Sequence, residues 1–147
     1  LFGHFIAYFG ERRALLIEYS GLVCVFLAYG GIYLFDWGVI FASILFVLDH
    51  LFFGLRMALK TYFQKISAPE DIAPTAAVAF TINHIAAVFL PVLLGLLWLV
   101  SPAFVFMAAA FLAFLSLLLA LLVPRVPIVG HETLLMPKIY SKSENGE

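Results

Sequence analysis

Four long apolar runs, at about residues 15–35, 38–59, 74–98 and 103–123, constrain the fold of this chain more than any other feature. An α-helix rises about 1.5 Å per residue, so each run is long enough to cross a bilayer core of about 30 Å. Hydrophobic residues make up 65% of the chain and charged residues 12%, against about 45–50% and 25% in soluble domains. We therefore expect an all-α polytopic membrane protein with four transmembrane helices.

The domain organisation follows from these runs. Residues 1–127 are predicted to form one membrane domain, in which residues 1–13 are the end of a preceding helix and a cytoplasmic loop. The chain opens inside an apolar stretch without a methionine, which we interpret as the remainder of that helix. Residues 128–147 are polar and are predicted to be a disordered cytoplasmic tail.

The lysines and arginines predict the orientation of the helices. With four crossings, all eight fall on one side of the membrane, and the opposite loops at residues 36–37 and 101–102 carry none. Cytoplasmic loops are enriched in these residues, so the first loop, the polar connector at residues 60–73 and the tail are expected in the cytoplasm. We expect a multi-pass protein of the inner or plasma membrane, with its C-terminus inside.

Composition and motifs argue against several other classes of function. The net charge of −1 offers no basic surface for nucleic acid. A single cysteine, Cys24, permits neither a disulfide nor a multi-cysteine metal site within one chain. Hydrolase motifs such as Gly-x-Ser-x-Gly and His-Glu-x-x-His are absent. We expect neither an enzyme nor a protein with a metal or another cofactor.

Polar side chains lie midway along the second and third runs, about ten residues from their cytoplasmic ends. Ten helical residues rise roughly 15 Å, so the polar side chains of both runs are expected at the same depth of roughly 15 Å below the cytoplasmic surface. Ionisable groups at such depth are expensive and usually face protein, water or each other. Thr81 lies three residues before His84, and Arg56 lies seven residues after Asp49. Residues at these spacings lie on the same face of a helix. The candidate residues of a substrate or proton pathway are Asp49, His50, Arg56, Thr81, Asn83 and His84.

A purely structural role for these residues stays open, because polar contacts between membrane helices also stabilise packing. Arg56 lies close enough to the inner surface for its side chain to reach the headgroups. Glu18 is interpreted as a boundary residue that pairs with Arg12 or Arg13. Pro91 is expected to kink or loosen the third helix.

Residues 3–13 resemble the loop motif Gly-x-x-x-Asp-Arg-x-Gly-Arg-Arg of the major facilitator superfamily. Gly3, Gly10 and Arg12 occupy matching positions, and Arg13 adds basic charge. In the family this motif joins the second and third helices of each six-helix half on the cytoplasmic side. The chain departs from the motif at Ala7, Tyr8 and Glu11.

The resemblance implies that the four runs correspond to the last four helices of a twelve-helix transporter. In the family the tenth and eleventh helices contact the central pathway, and these are the two that carry the polar residues here. It implies secondary transport of a small solute or ion by alternating access, with the N-terminal half of the transporter as partner. Asp49 would be the protonatable carboxylate, and His50 or His84 its neighbour.

Two other functions are compatible with the sequence. His50 and His84, at matching depth, could be the axial ligands of a b-type haem in a four-helix electron-transfer subunit. Alternatively, the chain could be a small membrane scaffold or assembly protein.

Overall fold

The computed structural model describes residues 2–127 and 132–135. Four of its helical segments are long and apolar enough to cross a membrane, namely 11–35, 39–66, 69–100 and 102–121. This confirms the prediction of an all-helical, multi-pass membrane protein. The helices are α1 (Phe2–Phe9), α2 (Glu11–Phe35), α3 (Val39–Phe53), α4 (Met57–Ile66), α5 (Pro69–Val100) and α6 (Pro102–Leu121), with a 3₁₀ turn at Gly54–Arg56 between α3 and α4. The predicted tail at residues 128–147 lies outside the described residues, apart from 132–135.

Three of the four segments extend further than the apolar runs because polar residues continue their helices, whereas α6 ends at Leu121, before the predicted end of its run. The expected polar connector at residues 60–73 is helical except at Ser67 and Ala68. Pro69 begins α5, where a backbone N–H would have no partner within the helix, so proline is well tolerated at this position. Glu70 and Asp71 follow in the first turn, and their negative charges complement the positive end of the helix. At the other end of the chain, Gly10 turns between α1 and α2 with φ of 82°, which favours glycine.

Two prolines lie inside α5, and the helix runs through both of them without a break. Pro91 therefore does not interrupt the helix. Membrane helices tolerate proline because neighbouring groups and small local adjustments satisfy the carbonyl that the ring leaves free. The interruption that does occur was not predicted: it is the 3₁₀ turn at Gly54–Arg56, which separates α3 from α4.

The bundle is organised around α2. This helix packs along α6, and it also contacts α3 and α4, whereas α5 packs on α6. Small residues allow the close approach of α2 and α6, as is usual between membrane helices. The buried small residues on the two helices are Ala14, Gly30 and Gly31 of α2 and Ala103, Ala110, Ala113 and Ala120 of α6.

Polar contacts link the helix ends on one side of the bundle. The Lys65 ammonium lies 2.6 Å from the carboxylate of Glu11, which joins α4 to the start of α2. The Arg12 guanidinium donates a hydrogen bond of 3.3 Å to the carbonyl of Leu121, the last residue of α6. These contacts surround a small core that contains Leu15 and Ala58. The start of α2 is therefore held against α4 and α6.

Candidate functional site

A groove of about 840 Å³ separates α5 from the 3₁₀ turn and α4. Its walls are mostly apolar, and Arg56, Lys60, Gln64 and Asn83 contribute polar groups. Aspartate and glutamate are absent from the described residues that line it. The Arg56 guanidinium carbon lies 5.6 Å from the centroid of the Phe53 ring, a cation–π distance. The groove is therefore amphipathic and positively charged at its arginine and lysine.

The structure brings some of the predicted pathway residues together and leaves others apart. Arg56 and Asn83 line the same groove although they belong to different membrane segments. The remaining four candidates do not belong to its lining: Asp49, His50, Thr81 and His84. The side chains of His50, Thr81, Asn83 and His84 are exposed on the bundle surface, and Asp49 is partly shielded.

The two central histidines have the same local geometry. The Nδ1 atom of His50 lies 3.0 Å from the Phe46 carbonyl oxygen, and that of His84 lies 3.0 Å from the Phe80 carbonyl oxygen. A carbonyl only accepts, so Nδ1 carries the hydrogen in both rings and Nε2 remains an acceptor when the ring is neutral. Each imidazole also lies against the phenylalanine ring, with centroids 4.2 and 3.9 Å apart.

This shared geometry reflects a short sequence repeat that the spacing of polar residues alone did not reveal. Residues 46–50 read Phe-Val-Leu-Asp-His, and residues 80–84 read Phe-Thr-Ile-Asn-His. The two segments differ most in chemistry at the residue before the histidine, which is Asp49 in one and Asn83 in the other. One copy is therefore ionisable where the other has a neutral side chain of similar shape.

Asp49 and His50 are adjacent but not hydrogen-bonded through Nδ1. The Asp49 carboxylate oxygen lies 3.8 Å from Nδ1 of His50, beyond hydrogen-bond distance. The side chain of Asp49 is 31% exposed and that of His50 is 61% exposed. The carboxylate is thus partly accessible at the bundle surface, and Nε2 of the neutral imidazole can accept a hydrogen bond from a solute or a neighbouring helix.

Glu18 is a buried carboxylate whose importance was missed at the level of the sequence. The residue is 3% exposed, and its Oε2 atom has no hydrogen-bond partner within the described part of the chain. Within residues 2–127 and 132–135, Glu18 forms no ion pair with Arg12 or Arg13, so the expected pairing is wrong. The signal was present: Glu18 lies three residues after Leu15 and seven after Glu11, on the helix face that is buried.

The two histidines considered as haem ligands lie on different helices, α3 and α5. In residues 2–127 and 132–135, groups of three or more histidine, cysteine, aspartate or glutamate side chains suited to a metal ion are absent. His50 lies on α3, which packs on α2, and His84 lies on α5, which packs on α6. The two imidazoles are thus carried by helices with different packing neighbours.

The residues of the loop motif lie around the junction of α1 and α2. Gly3 belongs to α1, and Gly10 is the turn between the helices. Arg12 and Arg13 lie in the first turn of α2, next to a pocket that also includes Arg125. Compared with known proteins, the chain matches no family model, no curated protein and no solved structure.

Proposed function

We propose that the chain forms part of a secondary transporter that moves a small solute across the cell membrane by alternating access. In this proposal its helices resemble the last four helices of a major facilitator superfamily protein. The observation that carries the proposal is the groove of about 840 Å³ between α4 and α5, whose wall contains Arg56 and Asn83. An arginine and an amide in a groove of a membrane bundle can bind a polar solute that lipid cannot dissolve.

A difference in packing between two pairs of helices supports this proposal. The tightly packed pair, α2 and α6, buries mainly small residues where the two helices meet. The candidate pathway residues lie on α3, the 3₁₀ turn and α5, which pack against that pair from outside. A rigid pair that supports two polar, less packed helices suits a transporter in which one bundle rocks against another.

The exposure of α5 favours further helices as partners. None of its residues, Pro69–Val100, is buried, and the exposed side chains include Thr81, Asn83 and His84. Polar groups in contact with acyl chains are costly, so such residues normally face protein or a water-filled cavity. In the proposal, the N-terminal half of the same transporter covers this surface and completes the solute site.

Proton coupling in this proposal is assigned to Asp49. A carboxylate that is protonated on one side of the membrane and ionised on the other carries one charge across it. Moving one charge through 100 mV is worth about 2.3 kcal/mol, which is enough for modest uphill transport. His50, beside it, offers Nε2 as a hydrogen-bond acceptor, and Arg56 provides a positive charge in the groove. The distribution of lysines and arginines supports a cytoplasmic position for the loop between α4 and α5.

In the full-length transporter, we expect Asp49→Asn to abolish proton-coupled transport while the protein still inserts and folds. The Asn83 segment shows that asparagine is accommodated before a histidine of the same geometry. The measurement is the internal pH of proteoliposomes loaded with a pH dye and presented with small carboxylates, amines and sugars. The wild-type transporter should respond to one of these classes, and Asp49→Asn should not.

Asp71→Asn is the matched control, because it makes the same chemical change at an exposed residue in the first turn of α5. Its response should equal that of the wild type. A full response from Asp49→Asn would remove Asp49 from the mechanism. A wild-type protein that moves no protons with any solute class would contradict proton-coupled transport itself.

A further inference from the structure

A second pocket lies where α2 begins and the chain leaves α6. Its volume is about 380 Å³. The transport proposal makes no use of it, and nothing that follows depends on that proposal. The residues that line this pocket, the arginine pocket, are Phe9, Gly10, Arg12, Arg13, Leu16 and Arg125.

Local structure places the three arginines. Gly10, with its positive φ, ends α1 and starts α2, so Arg12 and Arg13 both belong to the first turn of α2. Arg125 follows Pro124, which is fully buried, and precedes Pro127, which is also buried. The Arg12 guanidinium is further positioned by its hydrogen bond to the Leu121 carbonyl. Two adjacent arginines at the start of α2 and a third beyond the end of α6 therefore line one cavity.

Among the described residues, no carboxylate forms an ion pair with the arginines of the pocket. The nearest acidic residue in sequence, Glu11, pairs with Lys65 of α4 at 2.6 Å and is 5% exposed. Within residues 2–127 and 132–135, Arg12, Arg13 and Arg125 form no ion pair. The start of α2 adds to the positive potential, because Gly10 provides no side-chain cap for its first N–H groups.

We propose that the arginine pocket binds the phosphate group of an anionic membrane phospholipid. Guanidinium groups bind phosphate oxygens through paired, charge-assisted hydrogen bonds, and free N–H groups at a helix start favour the same anion. The start of α2 and the end of α6 are ends of helices long and apolar enough to cross a membrane, and lipid headgroups are found at the ends of such helices. Phe9 and Leu16 supply apolar wall beside the arginines, which suits the acyl region of a lipid better than a free ion.

The test is the binding of phosphatidylglycerol to the purified protein, measured by native mass spectrometry in detergent with phosphatidylcholine as the zwitterionic comparison. The pocket variant is Arg13→Gln/Arg125→Gln, which removes two guanidinium groups and leaves Arg12 on the Leu121 carbonyl. The control is Arg56→Gln/Lys60→Gln, which removes the same charge from the same side of the membrane but from the other groove.

We expect phosphatidylglycerol to bind the wild type more tightly than phosphatidylcholine. The pocket variant should lose about tenfold in affinity for it, and the control should stay within about twofold of the wild type. Arg13→Lys/Arg125→Lys, which keeps the charge but loses the paired donors, should lie between them. If the pocket variant and the control lost the same affinity for phosphatidylglycerol, the loss would depend only on net charge and the proposal would be overturned.

Inorganic phosphate distinguishes a lipid from a soluble anion. Millimolar phosphate should fail to displace phosphatidylglycerol, because a free ion gains nothing from the apolar wall. Displacement by phosphate, or equal binding of the two lipids, would overturn the assignment to an anionic lipid. Circular dichroism of each variant verifies its helical fold; if Arg13→Gln/Arg125→Gln fails to fold, Arg125→Gln alone, at an exposed residue after α6, replaces it.

Discussion

At the scale of single residues, a glycine of α2 lies in close contact with a side chain of α3. The Phe52 ring of α3 lies over Gly21 of α2, and a Cβ atom at Gly21 would collide with the end of that ring. Gly30, further along α2, differs: a Cβ there would meet the Met107 sulfur at 3.5 Å, an ordinary contact distance. The packing of α2 therefore leaves no room for a Cβ atom at Gly21 but does leave room for one at Gly30.

We expect Gly21→Ala to destabilise the protein by about 1–3 kcal/mol, because the Phe52 ring must leave its position on α2. Gly30→Ala is the control, since it gains the same helix propensity without a collision. Thermal unfolding in detergent measures both, and Gly21→Ala/Phe52→Leu should recover part of the loss. If Gly21→Ala were as stable as Gly30→Ala, the close packing of α2 and α3 at this point would be refuted.

At the scale of elements, the start of α2 is the point where three segments are joined. Glu11 pairs with Lys65 at the end of α4, and Arg12 bonds the end of α6. The Glu11 side chain is 6% exposed, whereas that of Lys65 is 54% exposed. The pair is therefore asymmetric: loss of the lysine leaves a buried, unpaired carboxylate.

Lys65→Met should cost about 2 kcal/mol of unfolding free energy, less than for a fully buried pair because water reaches the lysine. In a Glu11→Gln background the same substitution should cost less than about 0.5 kcal/mol, since no carboxylate remains to be left unpaired. Lys60→Met, at an exposed lysine without an ion pair in the described chain, is the control. Equal costs in both backgrounds would mean that the ion pair does not couple α2 to α4.

At the scale of the whole molecule, the four crossings divide the loops between two faces of the membrane. The short loop at Ser67 and Ala68 joins α4 to α5, and Ser101 joins α5 to α6 at the opposite face. All of the lysines and arginines in residues 2–127 are on the face of Ser67. The positive-inside tendency predicts that this face is cytoplasmic.

Cysteine labelling tests this orientation, because the chain has only one native cysteine, Cys24. In a Cys24→Ala background, Ser101→Cys should react with a membrane-impermeant maleimide in intact cells. Ser67→Cys should react only after permeabilisation. The reverse pattern would mean that the orientation is inverted. If Ser67→Cys and Ser101→Cys were both labelled from the same side, α5 would not cross the membrane between them.

The sequence predicted the transmembrane architecture because that depends on local properties. A run of about 20 apolar residues partitions into lipid, and a helix satisfies its own backbone hydrogen bonds there. The helix ends were less predictable: residues 60–73 contain charges and prolines that indicate a loop, yet Pro69 begins a helix that Glu70 and Asp71 stabilise. The 3₁₀ turn at Gly54–Arg56 had no sequence signal strong enough to place it.

By itself, then, the sequence determined that this chain crosses the membrane four times and which segments carry polar groups. Only the tertiary structure decided which of those groups meet: Arg56 with Asn83 in one groove, and Arg12 and Arg13 with Arg125 in another pocket. It also decided that Glu18 is buried. The physical reason is that a helix's rotation about its axis is set by packing against its neighbours, here largely through small residues on α2 and α6, and no single span encodes that rotation.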